Sequence, residues 1–268
     1  MTHLFHVHKI GKSYDGKVVL DELTLSITQG EVVCVLGAAK GGKSTFIRCL
    51  MLLERIDRGF IEYGGLPVIG VASANGNGGN GKAAKTPRRP ALHVREHRFR
   101  RKFGVVFPSR NLFPNRTVLQ NVVEGALHVN RIPRRTALET GRSLLATVEM
   151  AEKAGDYPET LTAGEQQRVA LARAFAAEPE VVFLDEITST LDPPETARLF
   201  RCLRTLRDEH SAAIVMATNH AKFAADFADL LCFLHEGRFL EKGSPRRLVT
   251  EPRSEPFQQF LKSVRASW

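Results

Sequence analysis

The stretch from Leu36 to Phe46, LGAAKGGKSTF, constrains the fold more than any other. A glycine, four residues and then Gly-Lys-Ser make the phosphate-loop pattern, which works only between a buried strand and a helix. Both flanks fit. EVVCVL, before the loop, is a short unbroken apolar run, as in a strand covered on both faces, and KSTFIRCLMLLE after it reads as a helix. The backbone N–H groups of Gly37, Ala38, Ala39, Lys40, Gly41 and Gly42, with the helix N-terminus at Lys43, Ser44 and Thr45, are expected to cradle phosphate. Lys43 supplies a point charge to the β/γ-phosphates, and Ser44 a hydroxyl ligand to Mg²⁺.

A second apolar run, VVFLDE, ends in two carboxylates. Asp185, at the carboxyl end of a buried strand, is placed to hold Mg²⁺ directly or through water. Glu186 beside it can polarise a water for attack on the γ-phosphate. Taken alone, an Asp-Glu pair is also what a helix N-cap after a strand looks like. The upstream phosphate loop selects the catalytic reading.

The rest of the chain alternates strands and helices, which predicts a mostly parallel sheet covered on both sides. HLFHVHKI reads as an early strand with Leu4, His6 and His8 on one side and Phe5 and Val7 on the other. An exposed strand face accounts for the histidines better than a metal cluster does. LTLSI, FGVVF and AAIVMAT read as further strands, Thr117 to Lys153 as helices broken at Pro133, Gln166 to Ala177 as a strong helix, and the tail after Gly243 as helical. Residues 70–90 are Gly/Asn-rich without apolar periodicity and are expected to be a flexible insertion. Arg88, Arg89, Arg95, Arg98, Arg100, Arg101 and Lys102 follow, against Glu96. A solvated face is the preferred reading of this run, then a membrane-surface or partner contact, then nucleic acid, since only Phe99 lies within it as a stacking group.

The chain has 268 residues, 43% of them hydrophobic, enough for one large α/β domain or for a domain with a smaller insertion. Its net charge of +9 points to an anionic partner without choosing among nucleotide, nucleic acid and membrane. Cys34, Cys49, Cys202 and Cys232 have no CxxC spacing and are expected to be free thiols. No apolar stretch reaches the roughly 18–20 residues of a membrane span, and no signal peptide is expected.

Between loop and carboxylate pair stands LTAGEQQRVALARA. With it, the chain resembles the ATP-binding subunits of ATP-binding cassette (ABC) transporters over nearly its whole length. LTAGE stands where that family has its signature, STLD where it has its D-loop, and Tyr14 in KSYDG matches its adenine-stacking aromatic. NLFPNRTVLQNVVEGALHVNRIPR is similar to the helical subdomain of importers of polar amino acids and related small solutes. The resemblance implies a phosphate-loop (RecA-like) sheet with an antiparallel β subdomain and an inserted helical subdomain. The divisions fall at 1–107, 108–176, 177–245 and 246–268. It implies two cassettes, alike or different, paired head to tail, with ATP between the phosphate loop of one and the signature of the other. Thr162 would offer its hydroxyl, Ala163 and Gly164 their N–H groups, and Glu165 and Asp192 would lie on the same nucleotide. Membrane-embedded permease subunits and, through them, a solute-binding protein are the implied partners, at the cytoplasmic face of the cell membrane; nucleic acid is not.

Several positions depart from the family pattern. Lys40 replaces a loop glycine, Pro108 the Q-loop glutamine, Asn219 the switch histidine (with His220 one place along), and Ile187 a proline; Ala163 and Glu165 are milder changes. An importer ATPase is the first expectation. A degenerate cassette that binds ATP and hydrolyses it slowly or not at all is the alternative. A soluble ABC protein of repair or translation ranks third, for want of a coiled-coil insertion or a second cassette.

Overall fold

The computed structural model describes residues 3–70, 91–92 and 94–264. Its strands sort into two sheets according to how their apolar residues alternate. β1 (His3–Tyr14) and β2 (Lys17–Thr28) bury one face only, and they pair antiparallel with Val7 opposite Leu25. β4 (Arg58–Tyr63), β5 (Leu66–Gly70) and β6 (Ala91–Leu92) extend this sheet in the order β2-β1-β4-β5-β6. Phe5, Val7, Ile10, Leu20 and Ile27 point inward and are fully buried. On the outer face His6 stacks with His8, and His8 lies 4.9 Å from the Phe60 ring. Leu4 is buried while His6 and His8 are only half-buried, so the side expected to be shared by these three is not uniform.

The second sheet holds β3 (Val32–Leu36), β7 (Phe103–Val106), β8 (Val181–Asp185), β9 (Ala213–Thr218), β10 (Leu230–His235) and β11 (Arg238–Gly243), in the order β11-β10-β3-β9-β8-β7. All its pairings are parallel except β11 on β10. Every residue of β3, β8 and β9 is buried, as continuous apolar strands require when helices cover both faces. The register aligns Leu36 with Thr218, and Asp185 with Ala217. The loops that begin at Gly37, Glu186 and Asn219 therefore leave the same carboxyl edge side by side, the place where open parallel sheets bind ligands.

The helices α1 (Lys43–Leu50), α2 (Glu96–Arg100), α6 (Pro193–Glu209) and α7 (Ala221–Phe227) follow core strands or precede them. Between β7 and β8 lie α3 (Val118–His128), α4 (Arg134–Thr147) and α5 (Ala163–Phe175). α3 and α4 have a small core of their own, Val123, Ala126 and Ala137, and Gly141 lets them approach: a Cβ there would meet Val123 Cγ1 at 2.5 Å. α5 begins at Ala163, earlier than the sequence predicts, because Thr162 and Glu165 form a reciprocal capping box. It lies flat on β7, where a Cβ at Gly104 would fall 2.2 Å from Ala174 O. The tail forms α8 (Pro245–Thr250) and α9 (Glu255–Val264).

All four cysteines are buried and free. The expected flexible insertion, 70–90, falls outside the described residues apart from Gly70. In the basic run, Phe99 is buried, edge-on to Phe103 at 4.7 Å and to Tyr63 at 5.3 Å, so it offers no stacking face. Arg100 pairs with Glu96 and Lys102 with Glu180. Among the described residues no helix is long and apolar enough to cross a membrane.

Candidate functional site

Gly37 follows directly from β3, and only glycine fits there: a Cβ would sit 2.4 Å from Leu234 O. Gly42 has φ 97°, and a Cβ on it would meet Val19 O at 2.9 Å. Between them, Gly41 N donates to Ala38 O and closes the turn. Lys40, at the exposed tip, has φ 62°. The left-handed backbone that the missing glycine would favour is kept, at a cost of about 1–2 kcal/mol for a side chain with a Cβ. α1 then starts at Lys43, and its first-turn amides have no partners within the helix. A tight glycine loop with free amides is a fitting cradle for phosphate.

Lys43 is buried, and its ammonium is fully engaged. It donates to Gly37 O at 2.9 Å and Ala38 O at 2.8 Å, and it pairs with Glu186 Oε1 at 2.9 Å. Ser44 Oγ donates to Asp185 Oδ1 at 2.7 Å. Asp185 is buried, and burial is the main reason its carboxyl titrates above the usual range; Ser44 pulls the other way and Glu186 adds to the rise. A hydroxyl and a carboxylate meeting in this way form the hard-oxygen donor set that suits Mg²⁺. Glu186 is left-handed, φ 45°, with its N–H held by Ala217 O at 3.0 Å.

Tyr14 lies beside Thr45 and Glu54, and partial burial followed by the Glu54 charge raises its phenol. The Lys12 ammonium sits 5.0 Å from the ring centroid. The structure thus brings Tyr14, the loop from Gly37 to Thr45, Asp185 and Glu186 into one cluster.

The residues of LTAGE form another. The Thr162 hydroxyl accepts from Glu165 N, and the Glu165 carboxylate accepts in return from Thr162 N at 2.8 Å and pairs with Lys153. A Cβ on Gly164 would strike the Glu195 carboxylate, which pairs with the buried Arg168. Asp192 caps α6 by accepting from Glu195 N at 2.9 Å. Among the described residues, no side-chain hydrogen bond or ion pair joins this cluster to the phosphate loop.

Asn219 is exposed at the end of β9. His220, next to it, turns its ring edge-on to Phe200 at 5.4 Å, and burial lowers its pKa. Pro108 lines an open groove of about 490 Å³ with Arg48, Leu53, Glu54 and Asn111. Arg110 and Thr190, which the sequence reading passes over, join at 2.6 Å across 80 residues of chain. Nothing in their local sequence announces that contact.

The ABC transporter family model matches residues 20–189. The chain is 37% identical over 258 residues to a probable amino-acid import ATP-binding protein of Bacillus subtilis (strain 168), covering 96% of each chain. It is 36% identical over 255 residues to the L-cystine transport system ATP-binding protein of Escherichia coli (strain K12), covering 95% of this chain and 96% of that one. It is also similar in fold to cbiO1 of Clostridium perfringens, part of an ABC transporter complex. The TM-score there is 0.76 at 23% identity, over 99% of this chain and 96% of the other.

Proposed function

The chain belongs to the ABC transporter family, and from that membership we propose that it is the ATP-hydrolysing subunit of an importer for an amino acid or related polar solute. The observation that carries the reading is the meeting of Lys43, Ser44, Asp185 and Glu186 at the carboxyl edge of parallel strands. Relatives named for amino-acid import and L-cystine transport, matched over nearly their full length, support the solute class.

In this reading Gly37 to Thr45 hold the phosphates of ATP, and Tyr14 takes the adenine once Lys12 moves from its ring. Ser44 and Asp185 would hold Mg²⁺, which when bound neutralises phosphate charge. Glu186 must leave Lys43 to accept a proton from the attacking water. Asn219 stands at the switch position and can hydrogen-bond without carrying a proton. His220, packed on Phe200, is the reserve candidate for that place.

The signature cluster fits a role on a second cassette's nucleotide. The capping box consumes the Glu165 amide and leaves those of Ala163 and Gly164 at the tip of α5, with the Thr162 hydroxyl beside them. A head-to-tail partner cassette would complete each site, with Asp192 near the seam. Residues 1–107 and 177–245 would form the nucleotide-binding core, 108–176 the helical unit facing the permease subunits, and 246–268 a tail. The assembly would lie on the cytoplasmic face of the membrane, served indirectly by a solute-binding protein.

Steady-state ATP hydrolysis by the purified chain tests this. Mg²⁺-dependent turnover that disappears in Glu186→Gln is expected. A chain that forms a stable ATP-bound dimer and shows no turnover would replace the reading with a non-hydrolysing cassette.

A further inference from the structure

The segment after β7 is held in an unusual way. Arg110 and Asn111 are both left-handed, with φ 61° and 50°. Their carbonyls accept from the two terminal nitrogens of Arg173 on α5, each at 2.7 Å. Gln167, also on α5, donates to Phe107 O at 3.3 Å. This backbone aims the Arg110 side chain at the turn after Glu186. Arg110 Nη2 donates to Thr190 Oγ1 at 2.6 Å, while Arg110 Nε is buried and has no partner among the described residues. That turn is short: Ser189 N donates to Glu186 O at 3.1 Å, and Leu191 N to Thr188 O at 3.1 Å. A displacement at Thr190 therefore reaches Glu186 through two overlapping hydrogen-bonded turns.

We propose that Arg110 is a positioning residue that sets the Glu186 carboxylate through Thr190, tying the Pro108 segment and α5 to the reacting group. This rests on the reading of the chain as an ATPase. Pro108 has no side-chain donor or acceptor, so Arg110, two residues on, is the group of this segment that reaches across to the turn. A side chain acting this way alters the chemical step and spares ATP affinity, since it touches neither the phosphate loop nor Tyr14.

The test is steady-state hydrolysis by the full chain with Mg²⁺, for Arg110→Gln, Arg110→Lys, Thr190→Val and the Arg110→Gln/Thr190→Val double variant. In Arg110→Gln and Thr190→Val, kcat is expected to fall about 10- to 100-fold, as a misplacement of about 1 Å produces. KM for ATP should stay within about twofold. Arg110→Lys should recover part of the loss, and the double variant should be no worse than either single one. Unchanged kcat, or losses that multiply in the double variant, would overturn the proposal. So would a fall in kcat accompanied by an equal loss of ATP affinity.

The parent and Glu186→Gln are assayed alongside, so absence of Glu186-dependent turnover marks failure of the ATPase reading itself. Amide hydrogen exchange at Ser189 and Leu191 then decides on Arg110 alone. Exchange at least about tenfold faster in Arg110→Gln, with Arg110→Lys like the parent, supports the positioning contact; equal rates in all three overturn it.

Discussion

The ammonium of Lys43 lies 2.9 Å from Glu186 Oε1, and its other two protons go to Gly37 O and Ala38 O. One nitrogen thus holds the loop in shape and restrains the carboxylate proposed as general base. A phosphate entering the loop competes with Glu186 for the same charge. Under the proposed function, nucleotide binding and release of the base are then one event.

Two variants separate these roles. Lys43→Ala removes the cation, and its ATP affinity is expected to drop at least about tenfold, because a charge-assisted contact to phosphate is worth about 1.5–3 kcal/mol. Glu186→Gln removes the competitor but keeps the shape. Glu186 is partly exposed, so the pair is worth about 1 kcal/mol or less after solvent screening. Affinity should tighten by up to about fivefold while turnover falls at least about 10²-fold. Titration with a fluorescent ATP analogue and a phosphate-release assay read the two effects. Equal affinity in parent and Lys43→Ala would refute the site assignment.

Lys40 carries strain that a glycine would relieve. At φ 62° a residue with a Cβ costs about 1–2 kcal/mol, and glycine gives back about 0.5–1 kcal/mol in unfolded-chain entropy. Lys40→Gly should therefore raise stability by about 1 kcal/mol at most in the absence of nucleotide, measured by urea unfolding. If the exposed ammonium contributes to phosphate binding, the same variant will lose ATP affinity while gaining stability. A destabilised variant would mean that Lys40 has contacts the loop needs.

The parts of the site that sequence reveals are those where chemistry fixes residue type and spacing together. That Gly37, Lys43, Ser44 and the strand-end Asp185 come together was legible because a glycine loop between strand and helix, and a carboxylate at a strand end beside it, admit few substitutes. The start of α5 is also encoded, since Thr162-x-x-Glu165 is a capping box, although the same residues stand in a motif that points to nucleotide contacts. Phe99 sits within a basic run in sequence, although its ring belongs to the Phe5–Tyr63–Phe103 cluster. That difference is tertiary, set by which face of a five-residue helix meets the sheet. The Arg110–Thr190 bond is wholly of this kind, for it depends on two left-handed residues that no local pattern demands.

Glu241 gives a prediction about pH. It is buried on β11 and accepts from Arg253 N, Ser254 N and Ser254 Oγ, tying the start of α9 to the sheet. Burial pushes its pKa up, but the Ser254 and Arg253 hydrogen bonds outweigh that and hold the carboxyl below the usual carboxylate range. A folded pKa below the unfolded one means that the unfolded chain binds more protons in that window. The stabilisation is therefore complete above about pH 4.5 and is lost as pH falls through the folded value. Glu241→Gln should lower the unfolding midpoint at pH 7 and flatten its fall below about pH 4.5. A variant with the parent's acid profile would show that other carboxylates govern it.

Pro108 and Asn219 are the sharpest test of how this site works. Pro108 removes both a side-chain amide and a backbone N–H from the loop after β7, and Asn219 follows β9 with a group that cannot take a proton. Loss of one positioned polar group costs about 10²–10³ in a chemical step. If both positions face the reacting phosphate, Pro108→Gln and Asn219→His should each raise kcat by about 10-fold or more. Together they should raise it further, with KM for ATP little changed. The gain must vanish when Glu186→Gln is added, because the base is common to all routes. His220 supplies the internal control: with its ring packed edge-on against Phe200, His220→Phe should leave parent turnover within about twofold. Parent activity lost in His220→Phe, with no gain from Asn219→His, would instead assign the switch role to His220. The loop after β9 would then have to shift by one residue when nucleotide binds.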